Sequence, residues 1–214
     1  MKKQHILFDL DGTLTDSQEG IMNSIEYAMK HFGIRVEDRS QLRPFLGPPL
    51  ADSMEKYYGF DRDKGQEFVV KYRECFDQRG WAENRVYPGV EAMLQALREH
   101  DCRLYVATSK PETAARRILK HFELSHYFEY IGGASLDSSR VHKGDVIRYV
   151  LDTNQLTAGA VMMVGDREND VRGAKENALE CIGVLYGYGD RRELEQAGAD
   201  HLAETAQKVA ELLI

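Results

Sequence analysis

The sequence has little on which a disulfide-bonded, exported or membrane-spanning protein depends. Three cysteines occur in 214 residues, and their odd number and wide spacing leave no C-x-x-C pair. We therefore expect Cys75, Cys102 and Cys181 to be reduced, small buried side chains of a cytoplasmic protein. No apolar run approaches the roughly 18 residues of a membrane span, and the early run Ile6–Phe8 is too short for the core of an export signal.

Positive charge is also in deficit. The chain carries 28 Lys and Arg residues against 35 Asp and Glu residues, which gives a formal net charge of -7 at pH 7. This balance disfavours binding to nucleic-acid polymers and to anionic membrane surfaces. It does not disfavour a small anionic substrate, because a bound divalent cation reverses the local field of a site.

What the sequence does contain is an alternation of short apolar runs with segments of helical period. The runs, which predict buried strands, are residues 4–9, 102–107, 160–164 and 181–185. The segments of helical period that lie between and after them are residues 92–97, 114–122, 146–151 and 171–178. Strands that alternate with helices in this way predict an α/β fold with a parallel sheet.

One stretch interrupts this alternation. Between Ser17 and Trp81 there are helical patterns but no convincing strand, and a block of this length far exceeds an ordinary connection between strands. It predicts a separate helical domain at residues 16–82, inserted after the first strand of a core formed by residues 1–15 and 83–214.

Polar clusters follow three of the predicted strands. Asp9 and Asp11 come after the first strand, the run Thr108–Lys110 after the second, and Gly165 and Asp166 after a later one. Ligands of open α/β sheets bind beyond the carboxyl ends of the strands. The sequence therefore predicts one site built from these clusters.

Asp9 and Asp11 form the first cluster. Side chains two apart on an extended strand point the same way, so we expect the chain to turn at Asp11 and a cation to hold the two carboxylates together. Gly12 permits the unusual backbone angles of such a turn, whose amides can bind phosphate oxygens. A solvated Asp-Gly turn is the alternative, but the position after a buried strand favours a functional site.

Asp166 and Asp170 form the second cluster. Being four apart, they would share one face of a helix that begins there, although the helix dipole alone also favours carboxylates in a first turn. Together with Asp9 and Asp11 they supply the hard oxygen ligands that suit Mg²⁺.

Hydroxyl and ammonium groups form the third cluster. A phosphoryl group needs hydrogen-bond donors and positive charge around its oxygens, and Thr108, Lys110 and Lys143 can supply both. Lysines are mostly solvated, so these considerations alone do not select Lys143 over Lys110 or Lys120.

In their order along the chain, these motifs resemble those of the haloacid dehalogenase superfamily. The motifs are Asp9-x-Asp11-Gly12-Thr13, Thr108-Ser109-Lys110, Lys143 and Gly165-Asp166-x-x-x-Asp170. The helical insert after the first motif is similar to that of the phosphoglycolate phosphatase and β-phosphoglucomutase branch. The resemblance implies a Rossmann-like core with a mobile, all-helical cap that closes over the substrate.

The same resemblance implies a role for each motif residue. Asp9 would attack phosphorus, and Asp11 would protonate the leaving group and then activate water. Asp9, the carbonyl of Asp11, Asp166 and Asp170 would hold Mg²⁺ or its water. Thr108 would donate a hydrogen bond to a phosphate oxygen, and Lys143 would offset the developing negative charge. The expected substrate contacts are Gly12, Thr13, Ser109 and Lys110, with Arg43 and Gly47 from the cap.

Two motifs depart from the family pattern. Lys143 is followed by Gly144 rather than the common proline, and the fourth motif continues as Arg167-Glu168, which we expect to pair and to leave the metal site unchanged. The loop Tyr186–Gly189 resembles an aromatic-glycine loop of phosphoglycolate phosphatase relatives. We expect this loop to line the rim of the site.

The leading hypothesis is a Mg²⁺-dependent hydrolase of small phosphate monoesters, such as phosphoglycolate or a nucleoside 5'-monophosphate. A 5'-nucleotidase, a pyrophosphatase and a β-phosphoglucomutase-like phosphotransferase are the alternatives. A catalytically silent binding protein is disfavoured, because none of the motif residues is missing. The expected partner is a small phosphorylated metabolite, and the expected state is a monomer or homodimer.

Overall fold

The structure is a computed structural model that describes residues 3–214. It forms two compact units, one made of the residues up to Thr15 together with Val86–Ile214, and the other of Asp16–Arg85. The sequence predicts the return to the first unit between residues 82 and 83, whereas the structure puts it after Arg85. Arg85, the last residue of the smaller unit, forms an ion pair of 2.7 Å with Asp16, its first.

Within residues 3–214 the larger unit contains a sheet of six parallel strands, as the α/β prediction requires. In chain order the strands are β1 (His5–Phe8), β4 (Arg103–Pro111), β5 (Phe128–Ala134), β6 (Val161–Gly165), β7 (Glu180–Val184) and β8 (His201–Ala203). Their order across the sheet is β5-β4-β1-β6-β7-β8. Two further short strands, β2 (Thr15–Asp16) and β3 (Arg85–Val86), form a separate two-stranded sheet.

Helices connect the strands of the larger unit. They are α4 (Val90–Glu99), α5 (Glu112–His121), α6 (Lys143–Thr153), α7 (Glu168–Glu176), α8 (Arg191–Ala197) and α9 (Ala206–Leu213). Buried side chains of the sheet pack against α6 and α7, among them Leu7 and Met163 against Ile147 and Val171. Full burial of each such side chain contributes about 1.5–3 kcal/mol to the free energy of unfolding. This packing fixes the position of the strand ends.

The four predicted strands are confirmed, and two strands of the sheet were not predicted. β5 contains Gly132 and Gly133, residues that weaken a strand pattern, yet a Cβ on Gly132 would lie 2.4 Å from Val150 Cγ2. The glycine is therefore required by close packing rather than by a turn. β8 has only three residues, too few for an alternation to be recognised.

The smaller unit is helical apart from its end residues. It contains α1 (Gln18–His31), a 3₁₀ segment (Arg39–Phe45), α2 (Leu50–Tyr58), α3 (Arg62–Cys75) and a π-helical turn (Phe76–Gly80). Its core includes the buried rings of Phe60 and Phe68, whose centroids are 6.3 Å apart. Tyr57 and Tyr58, which precede Phe60 in the sequence, stay substantially exposed. Of these three aromatic side chains, only Phe60 belongs to the core.

All three cysteines are free and buried, as predicted. No helix within the described part of the chain combines the length and apolar character needed to cross a membrane.

Candidate active site

The candidate site lies at the carboxyl ends of three adjacent strands. Phe8, the last residue of β1, lies beside Val106 of β4 and Val164 of β6. The residues that follow in each strand therefore meet at one edge of the sheet. This register brings together the three predicted clusters.

Three carboxylates form the centre of the site. Asp9, Asp166 and Asp170 are buried and offer ligand oxygens that lie within 4.8 Å of one another. Burial raises the pKa of Asp166 well above its usual range, and the neighbouring carboxylates of Asp170 and Asp9 raise it further. Burial likewise raises the pKa of Asp170. The cluster therefore concentrates more negative charge than the surrounding protein easily accommodates.

Lys143 is the cation that the protein itself supplies to this cluster. Its Nζ lies 2.7 Å from Asp9 Oδ1 and 2.8 Å from Asp170 Oδ1, and it donates to the carbonyl oxygen of Ala107 over 3.0 Å. Burial opposes the charged form, but Asp170 and Asp9 outweigh it and raise the pKa of Lys143 above its usual value. One ammonium group thus contacts two of the three carboxylates.

The remaining charge fits a divalent cation. Oδ1 of Asp9 and Oδ1 of Asp170 are buried and share a single ammonium group, that of Lys143. A buried carboxylate oxygen can accept more than one partner, so both retain capacity for a cation. Three convergent carboxylate oxygens with room for water or substrate suit a hard cation such as Mg²⁺.

The start of α7 explains the spacing of Asp166 and Asp170. Oδ2 of Asp170 accepts from the backbone N–H groups of Asp166 and Arg167, each over 3.0 Å. The helix begins at Glu168, so the prediction that both aspartates lie on one helix is wrong. Asp166 instead follows β6, and Asp170 reaches back to it as a helix cap.

Asp11 occupies a separate environment from Asp9. Its Oδ2 lies 2.9 Å from Nζ of Lys110, and both side chains are buried. The chain turns here as predicted: Gly12 has a φ of +87°, and its N–H donates to the carbonyl oxygen of Thr15 over 2.8 Å. The two aspartates of the first motif are therefore served by different lysines.

The run Thr108–Lys110 belongs to β4 itself rather than to a loop after it. The strand extends to Pro111, with an irregular register between Thr108 and Pro111. The Thr108 hydroxyl is buried and accepts from the backbone N–H of Lys110 over 3.2 Å, while Ser109 is half-buried. Thr108 and Lys110 are thus buried at the site while Ser109 is less so.

The three candidate lysines differ in burial, and one expected ion pair has other partners. Lys143 and Lys110 are buried against carboxylates, whereas Lys120 is exposed at the end of α5. Arg167 was expected to pair with Glu168, but Oε2 of Glu168 accepts from Arg172 over 2.7 Å. The Nε of Arg167 donates to Oε1 of Glu193 over 2.7 Å, a partner 26 residues away that no local pattern indicates.

The two predicted substrate contacts of the insert lie in the smaller unit. Arg43 is exposed within the 3₁₀ segment, and Gly47 follows it with a φ of +103°. Their contact with substrate stays a prediction.

The sequence analysis did not predict the hydrogen bonds that orient Asp166. Thr13, expected to contact substrate, donates its hydroxyl to Asp166 Oδ1 over 3.2 Å. The backbone N–H of Tyr188 donates to Asp166 Oδ2 over 2.8 Å. The glycines at 187 and 189 were the available signal, since closely spaced glycines indicate close backbone approach.

Comparison with known proteins identifies relatives along nearly the whole chain. A family model described as haloacid dehalogenase-like hydrolase matches residues 6–184. A crystal structure of a predicted phosphatase from Clostridium acetobutylicum superimposes with a TM-score of 0.98, at 44% identity, covering 100% of this chain and 99% of that one.

Three curated relatives carry different activity names. A 5'-nucleotidase from Pseudomonas aeruginosa is 44% identical over 94% of this chain and 91% of its own length. Tyrosine-protein kinase PtkA of Mycobacterium bovis is 41% identical over 87% of this chain but 63% of its own. A phosphoglycolate phosphatase from Vibrio parahaemolyticus is 24% identical over 97% of this chain and 95% of its own.

Proposed function

The chain belongs to the haloacid dehalogenase-like hydrolases, and we propose that it is a Mg²⁺-dependent phosphatase that hydrolyses nucleoside 5'-monophosphates through a phosphorylated Asp9. The observation that carries the proposal is the buried group of Asp9, Asp166, Asp170 and Lys143 at the carboxyl edge of the sheet. The enzyme class, a phosphoric monoester hydrolase, follows from the family and the named relatives.

Asp9 is the proposed nucleophile. Asp9 directly follows the central strand β1, and its Oδ1 lies 2.7 Å from Nζ of Lys143. In the first step an Asp9 oxygen forms a bond to phosphorus as the bond to the leaving oxygen breaks. Covalent catalysis of this kind divides one difficult displacement into two easier ones.

Asp11 is the proposed general acid and base. It donates a proton to the leaving oxygen in the first step and accepts one from the attacking water in the second. The water oxygen then bonds to phosphorus, the bond to Asp9 breaks and inorganic phosphate leaves. The Asp11 carboxylate lies outside the group of Asp9, Asp166 and Asp170, with its Oδ2 at 2.9 Å from Nζ of Lys110.

The remaining residues serve the phosphate and the cation. Thr108 already accepts from the Lys110 amide, which leaves its own hydroxyl proton to donate to a phosphate oxygen. Asp9, Asp166, Asp170 and the carbonyl of Asp11 are the proposed ligands. A bound Mg²⁺ supplies positive charge that offsets the phosphate oxygens.

Nucleoside monophosphates are proposed on the strength of the relatives. The relative named 5'-nucleotidase is 44% identical to this chain, whereas the relative named phosphoglycolate phosphatase is 24% identical, with similar coverage. The kinase-named relative is matched over 63% of its length, so its activity is not carried over. The cap residues Arg43 and Gly47 belong to the proposed substrate selection.

Phosphate release from a panel of substrates tests the proposal. The panel contains nucleoside 5'-monophosphates, phosphoglycolate, sugar phosphates and pyrophosphate, each with Mg²⁺ and with EDTA. We expect the highest kcat/KM for a nucleoside monophosphate and no turnover in EDTA.

Asp9→Asn is the matched control for this panel. It should lower kcat by at least about 10³-fold while leaving the thermal unfolding midpoint near that of the wild type. A preference for phosphoglycolate or pyrophosphate would change the substrate class, and a need for a bisphosphate activator would indicate a mutase. Activity that survives in Asp9→Asn would reject the nucleophile.

A further inference from the structure

The segment Tyr186–Gly189, between β7 and α8, has no role in the proposed chemistry, but two hydrogen bonds join it to the site and a third, within the site, extends the connection to Asp166. The backbone N–H of Tyr188 donates to Asp166 Oδ2 over 2.8 Å. The Tyr186 hydroxyl donates to the carbonyl oxygen of Thr13 over 3.1 Å. The Thr13 hydroxyl donates to Asp166 Oδ1 over 3.2 Å. Both oxygens of Asp166 are therefore oriented by this segment, one directly and one through Thr13.

The packing around Asp166 is too close for side chains on the glycines of this region. A Cβ on Gly187 would lie 2.3 Å from Cβ of Asp166 and 2.4 Å from the carbonyl oxygen of Gly12. A Cβ on Gly189 would lie 2.1 Å from the Asp166 carbonyl oxygen, and one on Gly12 would lie 2.2 Å from Asp166 Oδ2. The loop after β7 and the turn after β1 thus enclose Asp166 from two sides.

Tyr186 is itself held in place as a neutral donor. Its ring contacts the ring of Tyr87 edge to face, with centroids 5.1 Å apart. Burial, with a smaller effect of the Asp166 carboxylate, raises the pKa of Tyr186. The hydroxyl therefore keeps its proton and donates a hydrogen bond. The Thr13 carbonyl oxygen that accepts this bond belongs to the turn containing Gly12.

The hydrogen bonds to Asp166 fix the orientation of its carboxylate before a cation binds. Asp166 is fully buried beside two other carboxylates, and the terminal torsion of an aspartate is broad. Left alone, the carboxylate would rotate away from its like-charged neighbours. Hydrogen bonds behind a metal ligand fix its orientation, and loss of one typically lowers metal affinity about 10–100-fold.

We propose that Tyr186 is a positioning residue of the cation site, which acts through Thr13 to keep Asp166 in its cation-binding orientation. The inference rests on the proposed function, because it requires that Asp166 binds a divalent cation. Tyr186 touches neither substrate nor the reacting atoms in this proposal. Its effect appears in cation affinity rather than in the chemical step.

Calorimetric titration of the substrate-free protein with Mg²⁺ tests the inference, with Tyr186→Phe compared with Tyr105→Phe. Tyr105 is the control because it is a buried tyrosine whose hydroxyl is also hydrogen-bonded, lying 3.1 Å from Nδ1 of His5. His5 begins β1, so this pair lies at the opposite end of the strand from Asp9. We expect Tyr186→Phe to raise the Kd for Mg²⁺ about tenfold and Tyr105→Phe to leave it unchanged.

Two further measurements separate positioning from a general loss of stability. Thermal midpoints in EDTA should fall by similar amounts in the two variants, and saturating Mg²⁺ should restore the kcat of Tyr186→Phe to the wild-type value. An unchanged Kd in Tyr186→Phe overturns this inference alone. A wild-type protein that binds no Mg²⁺ overturns the inference and the proposed cation together.

Discussion

At the scale of single residues, the site divides its negative charge between two buried lysines. Lys143 contacts Asp9 and Asp170, and Lys110 contacts Asp11. The division matters because the proposed nucleophile must stay ionised while Asp11 gains and loses a proton. Each of the two aspartates therefore has its own ammonium partner.

The acid–base role of Asp11 predicts an effect that depends on the leaving group. Asp11→Asn should lower kcat for a nucleoside monophosphate by about 10²–10⁴-fold, the usual contribution of a general acid or base. With p-nitrophenyl phosphate, whose leaving group needs no proton, the first step should be much less affected while hydrolysis of the intermediate stays slow. Rapid mixing should then show a burst of nitrophenol.

Asp152→Asn, an exposed aspartate of α6, is the control for Asp11→Asn and should behave as wild type. Equal losses of rate with both substrates and no burst would count against the assigned role.

Lys143 predicts a change in stability as well as in activity. Lys143→Met leaves buried carboxylates without their ammonium partner, and breaking a buried ion pair costs about 3–5 kcal/mol. Urea unfolding in EDTA should show this loss, and Mg²⁺ should recover part of it. Lys120→Met, at an exposed position of α5, is the control and should leave the free energy of unfolding unchanged. A similar free energy of unfolding for the two variants would show that Lys143 does not stabilise the cluster.

The sequence predicts which residue types gather at the site but not which of them pair. Asp9, Asp11 and Asp166 follow from motif order and strand ends. The partner of Asp11 does not, because Lys110 reaches it only after β4 and β1 have aligned. The pair of Arg167 with Glu193 depends in the same way on where α8 packs.

At the scale of secondary-structure elements, close packing between strand and helix fixes the edge of the sheet. Gly132 of β5 faces Val150 of α6, and a Cβ there would come within 2.4 Å of Val150 Cγ2. The edge strand can therefore approach the helix only with glycine at this position. The same helix carries Lys143 in its first turn.

Gly132→Ala should lower the free energy of unfolding by about 1–3 kcal/mol, the typical effect of overpacking a core. Gly159→Ala is the matched control, because a Cβ there meets nothing within 4 Å. Chemical denaturation of the two variants measures the difference. Equal stability of the two would show that β5 and α6 can separate without cost.

The sequence predicts a strand where a short run of residues is continuously apolar, and it does not where packing decides. β1, β4, β6 and β7 are buried runs and were predicted, whereas β5 and β8 were not. The start of α7 was also misjudged, since a cap formed by Asp170 is read from geometry and not from spacing.

At the scale of the whole molecule, folding has to bring like charges together in a chain of net charge -7. The buried cluster therefore opposes folding until a cation binds, and ligand binding to the folded state stabilises it. Mg²⁺ at about 100 times its Kd should add about 2.7 kcal/mol, a rise in thermal midpoint of roughly 5–10 °C for a chain of this size.

Calorimetry with and without Mg²⁺ measures this rise. Asp166→Asn should abolish the shift, and Asp152→Asn should retain it. A midpoint in the wild type that does not respond to Mg²⁺ would mean that the cluster binds no such cation.

The central claim is that Asp9 becomes phosphorylated, and trapping of that intermediate tests it most directly. Wild-type protein is mixed with a nucleoside monophosphate carrying radiolabelled phosphate, quenched in acid during turnover and precipitated. The account predicts label on the protein that hydroxylamine releases, and none on Asp9→Asn. Turnover without any protein-bound label, or label that persists in Asp9→Asn, would contradict it.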